Sequence, residues 1–166
     1  MKIVQVSFLG QPNKYHKVDE TISRSAQPSN DDYKWLQSQG VTDVVNFRHH
    51  TVNEFDERQV VNSLGMKYHH IPSSSKHPMS QNILKFLNLA EQVKQEGGKL
   101  HIHCMAGVDR TGLYSFAYKE FNNLGSTKDN VIEWIKIGLH IENYPDMISW
   151  ALNFIKKYKK DRKSVV

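Results

Sequence analysis

The chain has 166 residues, 39% of them hydrophobic and 23% charged, with a formal net charge of +5. This is the composition of an ordinary globular chain able to bury a core, which excludes intrinsic disorder. A single cysteine excludes an intrachain disulfide, and no apolar run approaches the length of a membrane span.

Met1 to Gly10 lacks the apolar stretch and small-residue cleavage site of a secretory signal. The expectation is one domain over residues 1–166 in a reducing, cytoplasmic compartment, with a basic tail from about 156 to 166. In chain order, Ser29 predicts a helix N-cap, with Asp31 and Asp32 in the first turn, Trp35 and Leu36 on the helix, and Gly40 closing it. The β-branched run Val41–Phe47 predicts a buried strand, and Met66–Ile71 a second one ended by Pro72. Ser80 predicts the cap of a helix carrying Ile83, Leu84, Phe86, Leu87, Ala90 and Val93, stopped by Gly97-Gly98. Lys99–His103 predicts a third strand and Leu113–Phe121 a helix broken by Gly125. Thr127 predicts the cap of a helix with Val131, Ile132, Trp134 and Ile135. Asn143 and Pro145 open a last helix through Met147, Ile148, Leu152, Phe154 and Ile155. Strands and helices alternating at this spacing predict an α/β domain with a central, mostly parallel sheet flanked by helices. Ligands bind such sheets at the carboxyl ends of the strands.

Residues 100–112 read Leu-His-Ile-His-Cys-Met-Ala-Gly-Val-Asp-Arg-Thr-Gly. A strand ends at His103, the only cysteine follows, and a helix opens at Arg110 six positions later. The intervening Met105, Ala106, Gly107, Val108 and Asp109 can curl so that their backbone N–H groups converge on one point, to which the helix N-terminus adds free donors and its positive dipole end. That arrangement is a phosphate-binding loop between a strand and a helix, with Cys104 at its floor. Its field favours the thiolate, the nucleophilic form. Gly107 lets the backbone approach closely, and Arg110 supplies a planar fork for two phosphoryl oxygens. A thiolate in such a cradle suits attack on phosphorus, with a phosphocysteine that water then hydrolyses.

His103-Cys104 through Arg110-Thr111-Gly112 resembles the signature of the cysteine-based protein phosphatases. Ser23-Arg24-Ser25-Ala26-Gln27-Pro28-Ser29, Val44-Val45-Asn46-Phe47-Arg48 and His70-Ile71-Pro72 resemble the successive landmarks of their compact bacterial and fungal dual-specificity-like branch. The resemblance spans about residues 20 to 155 and implies Cys104 as nucleophile and Arg110 as phosphate ligand. It implies Thr111 as the hydroxyl that bonds the sulfur, and His103 as the residue orienting the loop from behind. Most members of the family carry an acidic residue on a separate loop as general acid. Here that loop is Ser73-Ser74-Ser75-Lys76-His77-Pro78, with no carboxylate. Two candidates stand in for it. Asp109 lies within the signature, as in the myotubularins and Sac-type lipid phosphatases, which also carry Asp-Arg-Thr there. His77, on the 73–78 loop, is the other candidate proton donor.

Arg24 and Arg48 are expected in buried ion pairs with Asp56 or Glu57. The chain has nine histidines, but His101 with His103, His49-His50 and His69-His70 show no zinc-site spacing, so no metal and no cofactor are expected. Lys156 to Lys163 carries six basic residues, expected as a solvated helix end, with contact to an acidic membrane surface as the alternative. Nothing predicts a nucleic acid partner. The expected activity is hydrolysis of phosphotyrosine, and also of phosphoserine and phosphothreonine, in proteins. A phosphoinositide or inositol phosphate substrate is the alternative: Asp109-Arg110-Thr111 and the basic tail favour it, while Met105 and Val108 stand where such enzymes often place lysine. A phosphate-binding module without turnover is the reading from another class.

Overall fold

The computed structural model describes residues 10–49 and 54–163. Among them are five strands: β1 (His16–Lys17), β2 (Ile22–Ser25), β3 (Asp43–Asn46), β4 (Lys67–His70) and β5 (Leu100–His103). Six helices accompany them: α1 (Asn30–Ser38), α2 (Glu54–Ser63), α3 (Ser80–Gln95), α4 (Asp109–Phe121), α5 (Thr127–Ile137) and α6 (Met147–Lys163). The sheet order is β1-β2-β5-β3-β4, parallel throughout except for the short edge strand β1. This is the expected α/β fold. The strand carrying the signature, β5, lies at the centre, with Ser25 of β2 on one side of His103 and Asn46 of β3 on the other.

Side chains alternate across β3 and β5, so β3 feeds two cores, while β5 gives one face to the larger core and the other to His101 and His103. Val45, Leu100 and Ile102 join Ile83, Phe86, Leu113 and Tyr114 in the larger cluster, beneath α3, α4 and the C-terminal helices. Val44 joins Tyr33, Leu36, Val61, Met66 and Tyr68 in the smaller one, beneath α1 and α2. Phe47, Phe86 and Tyr114 form an aromatic stack under the carboxyl edge of the sheet, with the Phe47 and Tyr114 rings parallel at 3.8 Å. Each such ring contributes about 1.5–3 kcal/mol by burial, so the edge that carries the functional loop rests on rigid ground.

Several boundaries depart from expectation. Ser29 caps α1 in a full capping box with Asp32. The cap of α3, however, is Met79, without a side-chain bond, and Ser80 is already helical. The cap of α5 is Ser126, whose hydroxyl takes the Asp129 N–H, while the Thr127 hydroxyl donates to Glu120. Helix α4 begins at Asp109, one residue before the opening expected at Arg110 and four before the apolar run from Leu113. The basic tail continues α6 to Lys163. The side chains of Lys160 to Lys163, residues 164–166, the N-terminal residues 1–9 and His50 lie outside the described residues. Among those described, no helix is long and apolar enough to cross a membrane.

Candidate active site

Cys104 follows β5 and is 2% exposed, at the floor of the turn from β5 into α4. The Gly107 N–H donates to its sulfur at 3.3 Å. Carbonyls around the turn are tied outward. Met105 O accepts from Gln27 N at 3.0 Å, Gly107 O from Arg24 Nη2 at 2.8 Å, and Val108 O from Trp134 Nε1 at 3.3 Å. Because a trans peptide sets C=O and the following N–H on opposite sides, these bonds direct the N–H groups of Ala106, Val108 and Asp109 toward the concave side. Gly107 is irreplaceable here: its φ is +75°, and a Cβ would sit 2.5 Å from Ala26 N and 2.6 Å from the Ser25 carbonyl carbon. Met105 and Ala106 form the exposed rim, while Gly107 and Val108 are buried.

Behind the loop, His103 is fully buried. One ring nitrogen lies 3.2 Å from Cys104 O, and the other pairs with Glu57 at 2.7 Å and faces the Tyr33 hydroxyl. Glu57 also accepts from Tyr33, Gln27, Asn46 and Tyr68. Burial alone would push this carboxyl up. The His103 bond and charge, with the Tyr33 and Gln27 donors, instead hold it down at about 2. The expected partners of Arg24 and Arg48 are therefore corrected. Glu57 is occupied by His103, and Arg48 donates to Gln27 Oε1 at 3.1 Å. Arg24, 2% exposed, braces Gly107 and lies within the field of Cys104. Burial lowers its guanidinium to about 10, partly offset by the Cys104 and Glu133 charges, so it stays a cation at neutral pH. The sequence reading missed this cation behind the cysteine loop.

Arg110 is half-buried and reaches the Ser73 carbonyl at 3.4 Å, bridging the cysteine loop to the 73–78 loop. Thr111 Oγ1 is buried without a partner and is not bonded to Cys104 Sγ. Instead, the sulfur takes its hydrogen bond from the Gly107 N–H. Asp109 gives both carboxylate oxygens to one residue: Oδ1 to the His140 backbone N–H at 2.9 Å and Oδ2 to His140 Nδ1 at 2.8 Å. His77 is exposed on the 73–78 loop. A cleft of about 610 Å³ runs along this loop, lined by His49, Ser73, Lys76, His77, Arg110 and Tyr144 among others.

Two further histidines have structural partners. His101 is fully buried between the Ser23 and Ser25 hydroxyls at 2.8 and 2.7 Å, and burial holds its ring well below the usual range, so it stays neutral. His69 pairs with Asp43. Among the described residues, no group of three or more His, Cys, Asp or Glu is placed to hold a metal ion.

Residues 20–119 match the family Tc-R-P, described as polymorphic toxin system, DSP-PTPase phosphatase. The chain belongs to this phosphatase family. It is a hydrolase of the cysteine-based phosphatase class. No curated protein matches the sequence. Among solved structures, the DUF442 protein of Shewanella putrefaciens CN-32 is similar, with TM-score 0.74 and 22% identity over 90% of this chain and 96% of that one. A cysteine-to-serine variant of P. aeruginosa TpbA in complex with pTyr has TM-score 0.69 and 20% identity, covering 82% of each chain. The core catalytic domain of the S. cerevisiae PP-IP phosphatase SIW14, in complex with citrate, has TM-score 0.74 and 16% identity, covering 92% of each. At these identities the likeness is one of fold.

Proposed function

We propose that this phosphatase hydrolyses phosphotyrosine, and also phosphoserine and phosphothreonine, in proteins through a phosphocysteine on Cys104. The observation that carries the reading is the loop itself. A buried sulfur holding the Gly107 N–H lies at the floor of a turn whose carbonyls are braced outward, at the N-terminus of α4. Cys104 attacks phosphorus in line with the leaving oxygen. The N–H groups of Met105 to Arg110 and the Arg110 fork hold the equatorial oxygens as charge moves onto them. His103 and Arg24 keep the loop in that shape, and a rotamer change brings the unpartnered Thr111 hydroxyl to the leaving sulfur. The whole chain acts as one catalytic domain, and a single catalytic thiol suits the reducing cytoplasm.

A second reading keeps the chemistry and changes the substrate to a phosphoinositide or inositol phosphate. Lys76, His77, His49 and Arg110 line the cleft, and among the described residues no carboxylate lines it with them, which suits a substrate with further phosphates. Kinetics on a phosphotyrosine peptide, a phosphoserine peptide and inositol phosphates, with chelator present, test both. Phosphotyrosine is expected to give the highest kcat/KM, and preference for an inositol phosphate by more than about tenfold would select the second reading. Binding of phosphate with no turnover of any of them would make the chain a phosphate-binding module.

A further inference from the structure

The reaction needs a proton for the leaving oxygen, and neither expected donor fits. Asp109 is the only carboxylate of the loop, yet two N–H groups of a single residue occupy both its oxygens, so it accepts rather than donates. The His77 ring lies on the exposed 73–78 loop, with no carboxylate bonded to it among the described residues. His140, by contrast, has a ring nitrogen free to donate and a carboxylate that holds the ring in place.

We propose that His140, held by Asp109, is the proton donor and acceptor of the phosphatase reaction. This rests on the Cys104 mechanism above. The segment after α5 is anchored to the cysteine loop at successive points. Trp134 Nε1 bonds Val108 O at 3.3 Å, and Gly138, the C-cap of α5 at φ +124°, turns the chain against the Val108 side chain. His140 then grips Asp109 through backbone and ring together. Tyr144, four residues on, lines the same cleft as Arg110. Because Nδ1–H is committed to Asp109, Nε2 is left to exchange a proton, and it has no hydrogen-bond partner among the described residues. His140 is half-exposed and Asp109 largely covered, so the pair runs from the cysteine loop outward toward solvent. The charged groups around the imidazole are Asp109, Glu142 in its own segment and Lys14 from the segment before β1. Asp109, by hydrogen bond and charge, holds the imidazole above its ordinary range, against partial desolvation and Lys14, which favours the protonated, proton-donating form. His140 lies beyond the residues matched by the family, so membership assigns it no role.

In the first step the Cys104 sulfur bonds phosphorus and the ester P–O bond breaks. His140 Nε2 gives its proton to the departing oxygen. In the second step water attacks phosphorus, its proton passes to the neutral His140, and the P–S bond breaks to return the thiolate. Asp109 is a positioning residue that fixes the tautomer.

The test is kcat/KM from about pH 5 to 9 for wild type, His140→Gln, Asp109→Asn, His77→Ala and Cys104→Ser. Each is assayed on phenyl phosphate and on an aryl phosphate whose phenol is strongly acidic. His140→Gln is expected to lose about 10²-fold or more on phenyl phosphate and less than about threefold on the activated ester, and to lose the alkaline limb of the profile. Asp109→Asn moves that limb to lower pH, and His77→Ala leaves it in place. Added imidazole restores phenyl phosphate turnover in His140→Gly. Equal losses on both esters, or an alkaline limb that persists in His140→Gln, overturns the proposal. Should both His140 variants fail to fold by circular dichroism, the Asp109→Asn limb decides: an unmoved limb overturns it. Activity surviving in Cys104→Ser sinks the underlying mechanism instead. An inactive Cys104→Ser beside a His140→Gln that keeps the wild-type dependence on leaving group sinks only the role of His140.

Discussion

Gly107→Ala asks the most of the cysteine loop with the smallest change. The added Cβ would lie 2.5 Å from Ala26 N and 2.6 Å from the Ser25 carbonyl carbon, both backbone atoms of a buried strand end. Ordinary contact begins near 3.4 Å, so the loop must lift away from β2 by about 1 Å. The residue must also hold φ +75°, at a cost of about 1–2 kcal/mol for any side chain. With about 1–3 kcal/mol for overpacking, the variant loses about 2–5 kcal/mol. At about 2–4 °C per kcal/mol for a chain of this length, the melting temperature falls by about 4–20 °C. The lift also stretches the Arg24 bond to the Gly107 carbonyl and withdraws the N–H from the Cys104 sulfur. A displacement of about 1 Å at reacting groups costs about 10²-fold in rate. Thermal melts and kcat/KM on an aryl phosphate, below the new transition, read both effects. A variant within about 2 °C and threefold of wild type would refute the claim that this backbone contact shapes the cradle.

Two further perturbations probe the support behind the loop. The Glu57 carboxyl is held at about 2 against an ordinary 4.5, so the folded state keeps its proton off more strongly than the unfolded chain does. That contribution is complete above pH 4.5, is lost as pH falls toward 2, and amounts to about 3 kcal/mol. Urea titrations from pH 6 to pH 2 are expected to show this loss in wild type and a flatter profile in Glu57→Gln; parallel profiles would contradict it. Arg24→Met strands the Gly107 carbonyl and removes a buried cation near the sulfur. It is expected to cost about tenfold or more in kcat/KM without unfolding the chain, and a loss under threefold would leave Arg24 no part in shaping the loop.

The parts legible in the sequence are those written in local pattern. Ser29 and Asp32 announce the start of α1, and the Val-rich run announces β3. The order strand, cysteine, glycine, arginine, helix announces the loop, which the structure builds with Gly107 at positive φ. What escaped depends on partners distant in the chain. The β2 sequence Ile-Ser-Arg-Ser shows no strand alternation, yet all four residues are buried, because His101 satisfies the two serine hydroxyls and Gly107 the arginine. Helix α2 reads as a charged surface segment, because its Glu57 works inward, on a histidine 46 positions later. Charge alone could not tell that Glu57 would choose His103 over Arg24. Nor could it show that Asp109 would be claimed by His140, 31 positions on, since that pairing exists only once α5 has folded back over the loop. The caps of α3 and α5 were misplaced by one residue because Met79-Ser80 and Ser126-Thr127 each offer a plausible cap beside the actual one.

The central claim is a covalent phosphocysteine on Cys104, and acid quench tests it most directly. Wild-type protein mixed with excess aryl phosphate, quenched within milliseconds and digested, is expected to yield a peptide carrying one phosphoryl group on Cys104 by mass spectrometry. The phosphopeptide should be absent in Cys104→Ser and when vanadate is present. Steady turnover with no phosphoryl group on Cys104, or undiminished turnover in Cys104→Ser, would contradict the account.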